Sequence, residues 1–388
     1  MAIYITIYCF ILLFCLSKRS FSHRGKRISL LVIICVFLCT GYMTGSDWRP
    51  YESSYNQLNS LEDIKSYNKE LGFAYLLFFA KKIGLGFWEL WITIKFFCFY
   101  IIIKKLSEFT NKKYKWALLY FYSYFALFYF IDNPMRNLIS ATLFLFSYKY
   151  LISRHSVRYF LIVILCSMLH SSALLFIPLY FLLPYNRRLS NRTLIIICLS
   201  LYVLLLLTWS SGVRGILYTF LHVISGSESR GIYYLDIDSS SNYISFGLIV
   251  VYSIFGLVLY KRDNIEENTK FGNFLVYMST LYVVTYTLGF FLPILSRLSM
   301  FCYIPFLATF SIAMKHLSHR YYLIFSIYVS LFLFVVMCKN ITRDFRYIPY
   351  STYFEYIGTS KPDFSTRSSY NPLYSPYKSD DYVYQHYN

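Results

Sequence analysis

Two arginines stand where helices should begin. Asn133-Pro134 precedes Arg136, and Ser296 precedes Arg297. Asn and Ser are strong N-caps and Pro suits the first helical position, so both guanidinium groups are expected in a first turn. A helix N-terminus exposes unpaired N–H groups and the positive end of the dipole, which repels a cation unless an anion shares the place. Such an end paired with an arginine is a device for holding a diphosphate. Ser171 or Ser172, directly after His170, supplies a third start of the same kind. Asp47, Arg49 and Glu70 lie in the polar stretch 45–70, and Asp47, Glu70 and His170 are the groups able to take a proton from a nucleophile. Each charge alone also reads as an interfacial side chain that snorkels to water. Their agreement in side, once the chain is threaded, is what argues for chemistry.

The elements that must position them are membrane helices. Apolar residues make up 57% of the chain and charged ones 14%, against about 25% charged in a soluble domain, so there is too little charge to coat a globule. The net charge of +18 is not gathered on one surface; lysines and arginines punctuate apolar runs, which excludes a nucleic-acid interface and fits the bias of cytoplasmic loops. The nine cysteines sit in or at the ends of apolar runs without a CxxC pair, so they read as small packed hydrophobes, with no metal site and no disulfide. Neither GxxxxGK[ST] nor GxGxxG occurs, which leaves no sign of ATP, dinucleotide or other cofactor. Asp236-Ile237-Asp238 has metal-pair spacing, but so short a match is common by chance.

Threading follows from the basic connectors. Ile3–Leu16 carries its positive charges after it, so it is a retained first helix with its N-terminus outside. Lys18–Arg27, Lys104–Lys115, Ser153–Arg158 and Lys315–Arg320 read as inside. Leu71–Gly84 offers only Leu71–Ala80 before two lysines, half of the roughly 20 residues a span needs, and is assigned as a re-entrant or interfacial helix on the outer face. Tyr159–Pro184 has basic flanks on both sides and either turns back at His170 as two short helices or crosses once with a kink and flips all that follows. The remaining helices are Ile28–Thr44, Phe87–Ile103, Trp116–Ile131, Asn137–Ile152, Thr193–Thr208, Ile244–Tyr260, Phe271–Phe291, Leu298–Met314 and Tyr321–Cys338. The sum is an all-α polytopic membrane protein with about twelve transmembrane helices and both termini outside. Ser210–Tyr243 becomes a long extracytoplasmic loop. The chain divides into a membrane domain over 1–356 and a Tyr-rich, loosely ordered tail over 357–388.

The segments GSDWRPYESSYNQL, KELGFAYLLFFAKKIG, DNPMRNLISATLFLFSYKYL and YFLIVILCSMLHSSALLFIPLYFLL, with LSRLSMFCYIPF and RDFRYIPYSTYF later on, resemble the EpsG family of Wzy-type polysaccharide polymerases of O-antigen or capsule synthesis. The resemblance spans Met1–Tyr356. It implies a metal-independent glycosyltransferase that joins oligosaccharide repeats carried on undecaprenyl diphosphate at the outer face of the bacterial inner membrane, with a chain-length regulator protein as a partner beside membrane lipid. By the same resemblance Asp47, Glu70 and His170 are the catalytic candidates. Arg136, Arg297 and Tyr51, with Arg346 and Tyr350 as additions, are the substrate-binding ones, and the one-sided charge pattern adds Arg49. Arg136 and Arg297 would hold the leaving diphosphate, and the choice of base among the three candidates stays open. A flippase for the same lipid-linked sugars is the alternative, although no internal repeat is seen and the charges gather at one face. An integral membrane acyltransferase using His170 is another, but it leaves the two arginines unexplained. Reporter fusions after Ser60 and after Gly86 are expected to report the same side of the membrane; opposite sides would make Leu71–Gly84 a crossing.

Overall fold

A computed structural model describes residues 1–17, 24–65, 67, 70–132, 134–183, 188–209, 245–269, 271–291, 295–343, 345–374 and 376. Asn133, Asp236, Asp238 and the expected 210–243 loop lie outside them. Among the described residues the chain is all-α apart from one antiparallel ladder, Gly41–Tyr42 against Ser351–Thr352, with Gly41 opposite Thr352. Two helices, Gly272–Phe291 and His319–Thr342, are each long and apolar enough to cross a membrane. Other runs are broken in two. Lys115–Tyr120 continues as a π-helix over Phe121–Asp132, Met135–Phe144 is followed by Ser147–Ile152, and the one-turn Ser296–Ser299 by Tyr303–Lys315. The expected count of about twelve crossings therefore does not follow from helix length alone.

The bundle turns apolar side chains outward as well as inward. Phe10, Leu13, Phe97, Leu161, Ile196 and Ile327 are all exposed, spread over helices from end to end of the chain. Water would not tolerate such a surface, and lipid does. The core beneath is unusually aromatic, with Phe125 stacked on Tyr303 at 4.4 Å and Tyr282 on Phe306 at 4.4 Å between ring centroids.

Contacts distinguish the two ends of the bundle. At one, the Cys15 thiol meets the Lys115 carbonyl, Tyr322 Oη donates to the Cys15 carbonyl, and Ser311 Oγ donates to the Lys113 carbonyl at 2.7 Å. The connectors gathered there are the lysine-rich ones. At the other, Tyr4 Oη donates to the Tyr347 carbonyl at 2.8 Å, beside the acids and arginines described below. The opposition of a lysine end to a mixed-charge end is the pattern that cytoplasmic-loop bias produces.

The Tyr159–Pro184 question is decided by packing. Helix Ser156–Leu169 stops at His170, a 3₁₀ turn Ser171–Phe176 leads back, and Leu179–Leu182 returns beside the start. Tyr159 Oη donates to the Phe176 carbonyl at 2.6 Å, Tyr180 Oη to the Arg154 carbonyl at 2.8 Å, and Arg154 donates to the Tyr180 and Leu183 carbonyls. The run doubles back at His170. Helix Leu71–Lys82 has 12 residues, about 18 Å of rise, so it is as short as the sequence suggested. Gly72 lets it lie against Met168, whose Cβ and carbonyl oxygen would stand 2.7 Å from any added Cβ.

The polar stretch before Glu70 folds into the helices Trp48–Gln57 and Leu61–Lys65. The loosely ordered tail gives way, up to Tyr374, to a helix over Phe364–Tyr374 that buries Arg367 and Asn371. Its sequence lacks an apolar stripe, so its stability comes from tertiary partners that composition does not reveal. Between the second helix and Trp48–Gln57 the chain turns at Gly45, with φ of +83° and a hypothetical Cβ 2.2 Å from the Ile131 carbonyl oxygen. Gly45→Ala is expected to cost well over about 1 kcal/mol, read as a lower thermal midpoint in detergent; an unchanged midpoint would mean that this turn is free to relax.

Candidate functional site

The π-helix ends on Asp132, and a wider helical turn at that place is a common feature of functional sites. Asp132 is buried. Its Oδ1 accepts from the Ser46 amide at 3.3 Å and from Ser46 Oγ at 2.9 Å, while its Oδ2 accepts from Arg346 Nη1 at 2.7 Å. Ser46 Oγ also lies 3.4 Å from Asp47 Oδ1. Two carboxylates thus share one hydroxyl. Burial pushes the Asp47 carboxyl up to about 6, Asp132 adds to the rise, and the charges of Arg297, Arg136 and Arg346 oppose it. Three arginines, the outermost of them 210 residues apart in sequence, act on one carboxylate.

Arg136 links this pair to a second acid. It lies in the first turn of Met135–Phe144, donates through Nε to Tyr51 Oη at 3.0 Å, and pairs through Nη1 with Glu70. Glu70 stands at the start of Leu71–Lys82, and its other oxygen meets His170 Nδ1 at 3.2 Å and accepts from the Ser171 amide at 3.2 Å. Burial works against ionisation of Glu70, but the His170 hydrogen bond and the Arg136 charge outweigh it and bring its carboxyl down to about 2. Burial, with the nearby Asp47 charge, pushes the Tyr51 phenol up to about 12, so it stays neutral as a hydrogen-bonding group. His170 is buried, and its Nε2 has no hydrogen-bond partner. The four groups form a chain: Tyr51, Arg136, Glu70, His170.

Beside the Asp132–Arg346 pair opens a cavity of about 520 Å³, a volume that suits a small-molecule site. Its walls are rings, Tyr124, Phe125, Phe128, Tyr129, Tyr286 and Phe290, and its lining also includes Lys339, Asn340, Arg346 and Ser296. Ser296 is the residue before Arg297. The lining is amphiphilic: aromatic rings together with the cations Lys339 and Arg346.

The residues expected from sequence divide. Asp47, Tyr51, Glu70, Arg136, His170, Arg297 and Arg346 gather at one end of the bundle. Arg49 does not serve as an open anion ligand, because it is buried and donates to the Gly45 carbonyl at 2.9 Å and twice to the Ser368 carbonyl. Tyr350 donates to the Phe37 carbonyl and packs 4.7 Å from the Phe37 ring. The helix starts also differ from expectation. Pro134 occupies the N-cap position itself, His170 precedes the 3₁₀ turn without a side-chain cap, and Ser171 gives its amide to Glu70 instead. Ser296–Ser299 is a single turn of four residues, too short for a useful dipole, so Arg297 acts by its own charge. Asp132, Ser46 and Lys339 were missed. A carboxylate closing a long apolar run was the available signal for Asp132.

A family model described as the EpsG family matches residues 26–352. No curated protein and no solved structure matches the chain.

The two carboxylates have opposite consequences for stability. Asp47 is easier to protonate folded than unfolded, so stability is lost as pH rises from about 4 through about 6. Glu70 is harder to protonate folded, so its contribution is present above its unfolded value near 4.5 and is lost as pH falls toward about 2. Asp47→Asn should therefore stabilise the protein at pH 7.5 by on the order of 1–3 kcal/mol and much less at pH 4. Thermal midpoints at the two pH values check this, and an equal shift at both would remove the raised Asp47.

Proposed function

The chain belongs to the EpsG family, and from that membership we propose that it is a polysaccharide polymerase acting on lipid-diphosphate-linked oligosaccharide repeats. Members of this family are polysaccharide-polymerase-like membrane proteins, glycosyltransferases in the coarse sense. In the finer reading the carrier is undecaprenyl diphosphate, the membrane is the bacterial inner membrane, and the acid–arginine end of the bundle faces the cell exterior. The helices, including the broken ones, then make about twelve traverses, with the termini on the outer side. The observation that supports the reading best is the amphiphilic cavity: an aromatic slot whose cationic lining adjoins the carboxylate pair suits a molecule with an anionic head on an apolar body.

The chemistry follows from the groups. The acceptor hydroxyl attacks the anomeric carbon of the donor sugar, the bond from that carbon to the diphosphate oxygen breaks, and the diphosphate leaves with the electron pair. Its growing charge is met by Arg297, Arg346 and Lys339, donors already in position before the bond breaks. The acceptor proton goes to Asp47. A carboxyl near 6 accepts a proton far better than one near 2, which favours Asp47 over Glu70 as the base. Glu70 instead fixes Arg136 and His170, and Arg136 fixes Tyr51. No nucleotide is required, since the lipid diphosphate already activates the sugar.

Below about pH 6 Asp47 takes up a proton before the acceptor can supply one, so polymer formation falls on the acid side. Asp47→Asn is expected to abolish polymer while the protein stays inserted and abundant. Arg297→Lys keeps the charge but not the planar fork; a lost charge-assisted bond of ~1.5–3 kcal/mol corresponds to a roughly ten- to hundredfold slower reaction. Gels of polymer and analysis of lipid-linked glycans, at matched expression, read both. Single repeats accumulating outside the membrane support the polymerase. Repeats retained inside would make the chain a flippase, and full polymer from Asp47→Asn would move the base elsewhere.

A further inference from the structure

The family model stops at residue 352, and the helix Phe364–Tyr374 lies past it. That helix nevertheless grips both segments that carry the reacting groups. Arg367 Nη1 donates to Glu52 Oε2 at 2.6 Å, with both side chains buried. Glu52 sits on Trp48–Gln57, the helix that begins directly after Asp47. The Ser368 carbonyl accepts from Arg49 at 2.8 and 3.0 Å on the same helix. On the other side Asn371, wholly buried, donates through Nδ2 to the Arg346 carbonyl at 3.2 Å and to the Pro349 carbonyl at 3.4 Å. The Arg346 carbonyl also accepts from the Gly45 amide at 2.9 Å. The chain leading into the helix is held as well: Tyr353 donates to Glu89, and Lys361 lies 2.5 Å from Tyr353 Oη. Phe364 packs on Trp48 at 5.9 Å.

A buried ion pair gives little net stability over apolar packing of the same volume, and its best-attested use is to fix one arrangement among several. Arg367–Glu52 fixes where the Asp47 helix lies, and Asn371 fixes the backbone under Arg346. Neither Arg367 nor Asn371 lines the cavity. We propose that the Phe364–Tyr374 helix is a positioning strap for glycosyl transfer, with Arg367 and Asn371 setting the placement of Asp47 against Arg346 through Glu52 and the Arg346 carbonyl. The proposal rests on the assignment of Asp47 and Arg346 to the reaction. The groups that face Asp47 are Asp132, Ser46 and Tyr51, with Arg136, Arg297 and Arg346, so a displaced strap changes both its water exposure and its distance from these charges.

The test uses the full-length protein in membranes. Asn371→Ala removes the donor to the Arg346 carbonyl and leaves the ion pair intact; Arg367→Glu breaks the pair, and Glu52→Arg combined with Arg367→Glu restores it reversed. A displacement of about 1 Å at a reacting group slows a reaction on the order of a hundredfold, so Asn371→Ala should form polymer about ten- to hundredfold more slowly per inserted protein. The acid limb of its pH profile should move to lower pH as Asp47 becomes more hydrated. Arg367→Glu should be worse, and the reversed pair should recover much of the loss. A second readout does not depend on activity: a cysteine placed at Ser46, read against the same chain with Ser46 intact, should react faster with an impermeant thiol reagent when Asn371 is Ala. Unchanged polymer and unchanged labelling in Asn371→Ala would overturn the strap, as would faster labelling without any loss of polymer. Full polymer from Asp47→Asn in parallel would overturn the assignment of the reaction site, whereas the labelling arm alone would still decide whether the strap holds the loop.

Discussion

The site is organised by the Asp132 carboxylate. It is buried at the end of a long apolar helix, and it reaches Ser46, 86 residues earlier, and Arg346, 214 residues later. A buried carboxylate without partners is intolerable, and removal of one partner from such a pair costs about 3–5 kcal/mol. The loop before Trp48 and the turn before the Ser351–Thr352 strand must therefore both come to it. Once they have, Asp47 is carried to within a shared hydroxyl of Asp132. The raised carboxyl of Asp47 follows from burial first and then from that enforced closeness to Asp132, both set by how the loops are fastened.

Glu70 shows the converse arrangement. It collects a guanidinium, an imidazole and an amide, and so many donors hold it ionised far below the usual carboxylate range. For Asp47 burial outweighs the charges of three arginines, whereas for Glu70 the donors outweigh burial. This difference in environment separates a candidate base from a candidate scaffold more clearly than residue type could, since the two are chemically near-identical.

The hairpin at His170 has a role in the same economy. Because the Ser156–Leu182 run turns back at His170, that residue is held at the tip, where Glu70 meets it, and helix Leu71–Lys82 can pack on the same hairpin through Gly72. Short helices and a turn at this end of the bundle frame the site, with Glu70 accepting from the Ser171 amide at the start of the turn.

Much of this was legible from residue types. The all-α class, the brevity of Leu71–Lys82, the interruption at His170 and the gathering of Asp47, Glu70, Arg136, His170 and Arg297 all depend on local apolarity and on which connectors carry lysine. Those are properties of contiguous segments, and a bilayer reads them one segment at a time. What depended on tertiary structure was which polar group meets which. Arg49 and Tyr350 have the same character in sequence as Arg346 and Tyr51, but two of them found backbone carbonyls and two found the acid cluster. Asp132 was hidden at the end of an aromatic run, and the Phe364–Tyr374 helix was hidden in a polar tail, because each is stabilised by partners more than 200 residues away. A hydrogen bond between distant segments leaves no periodicity in either one, so only the folded chain could assign it.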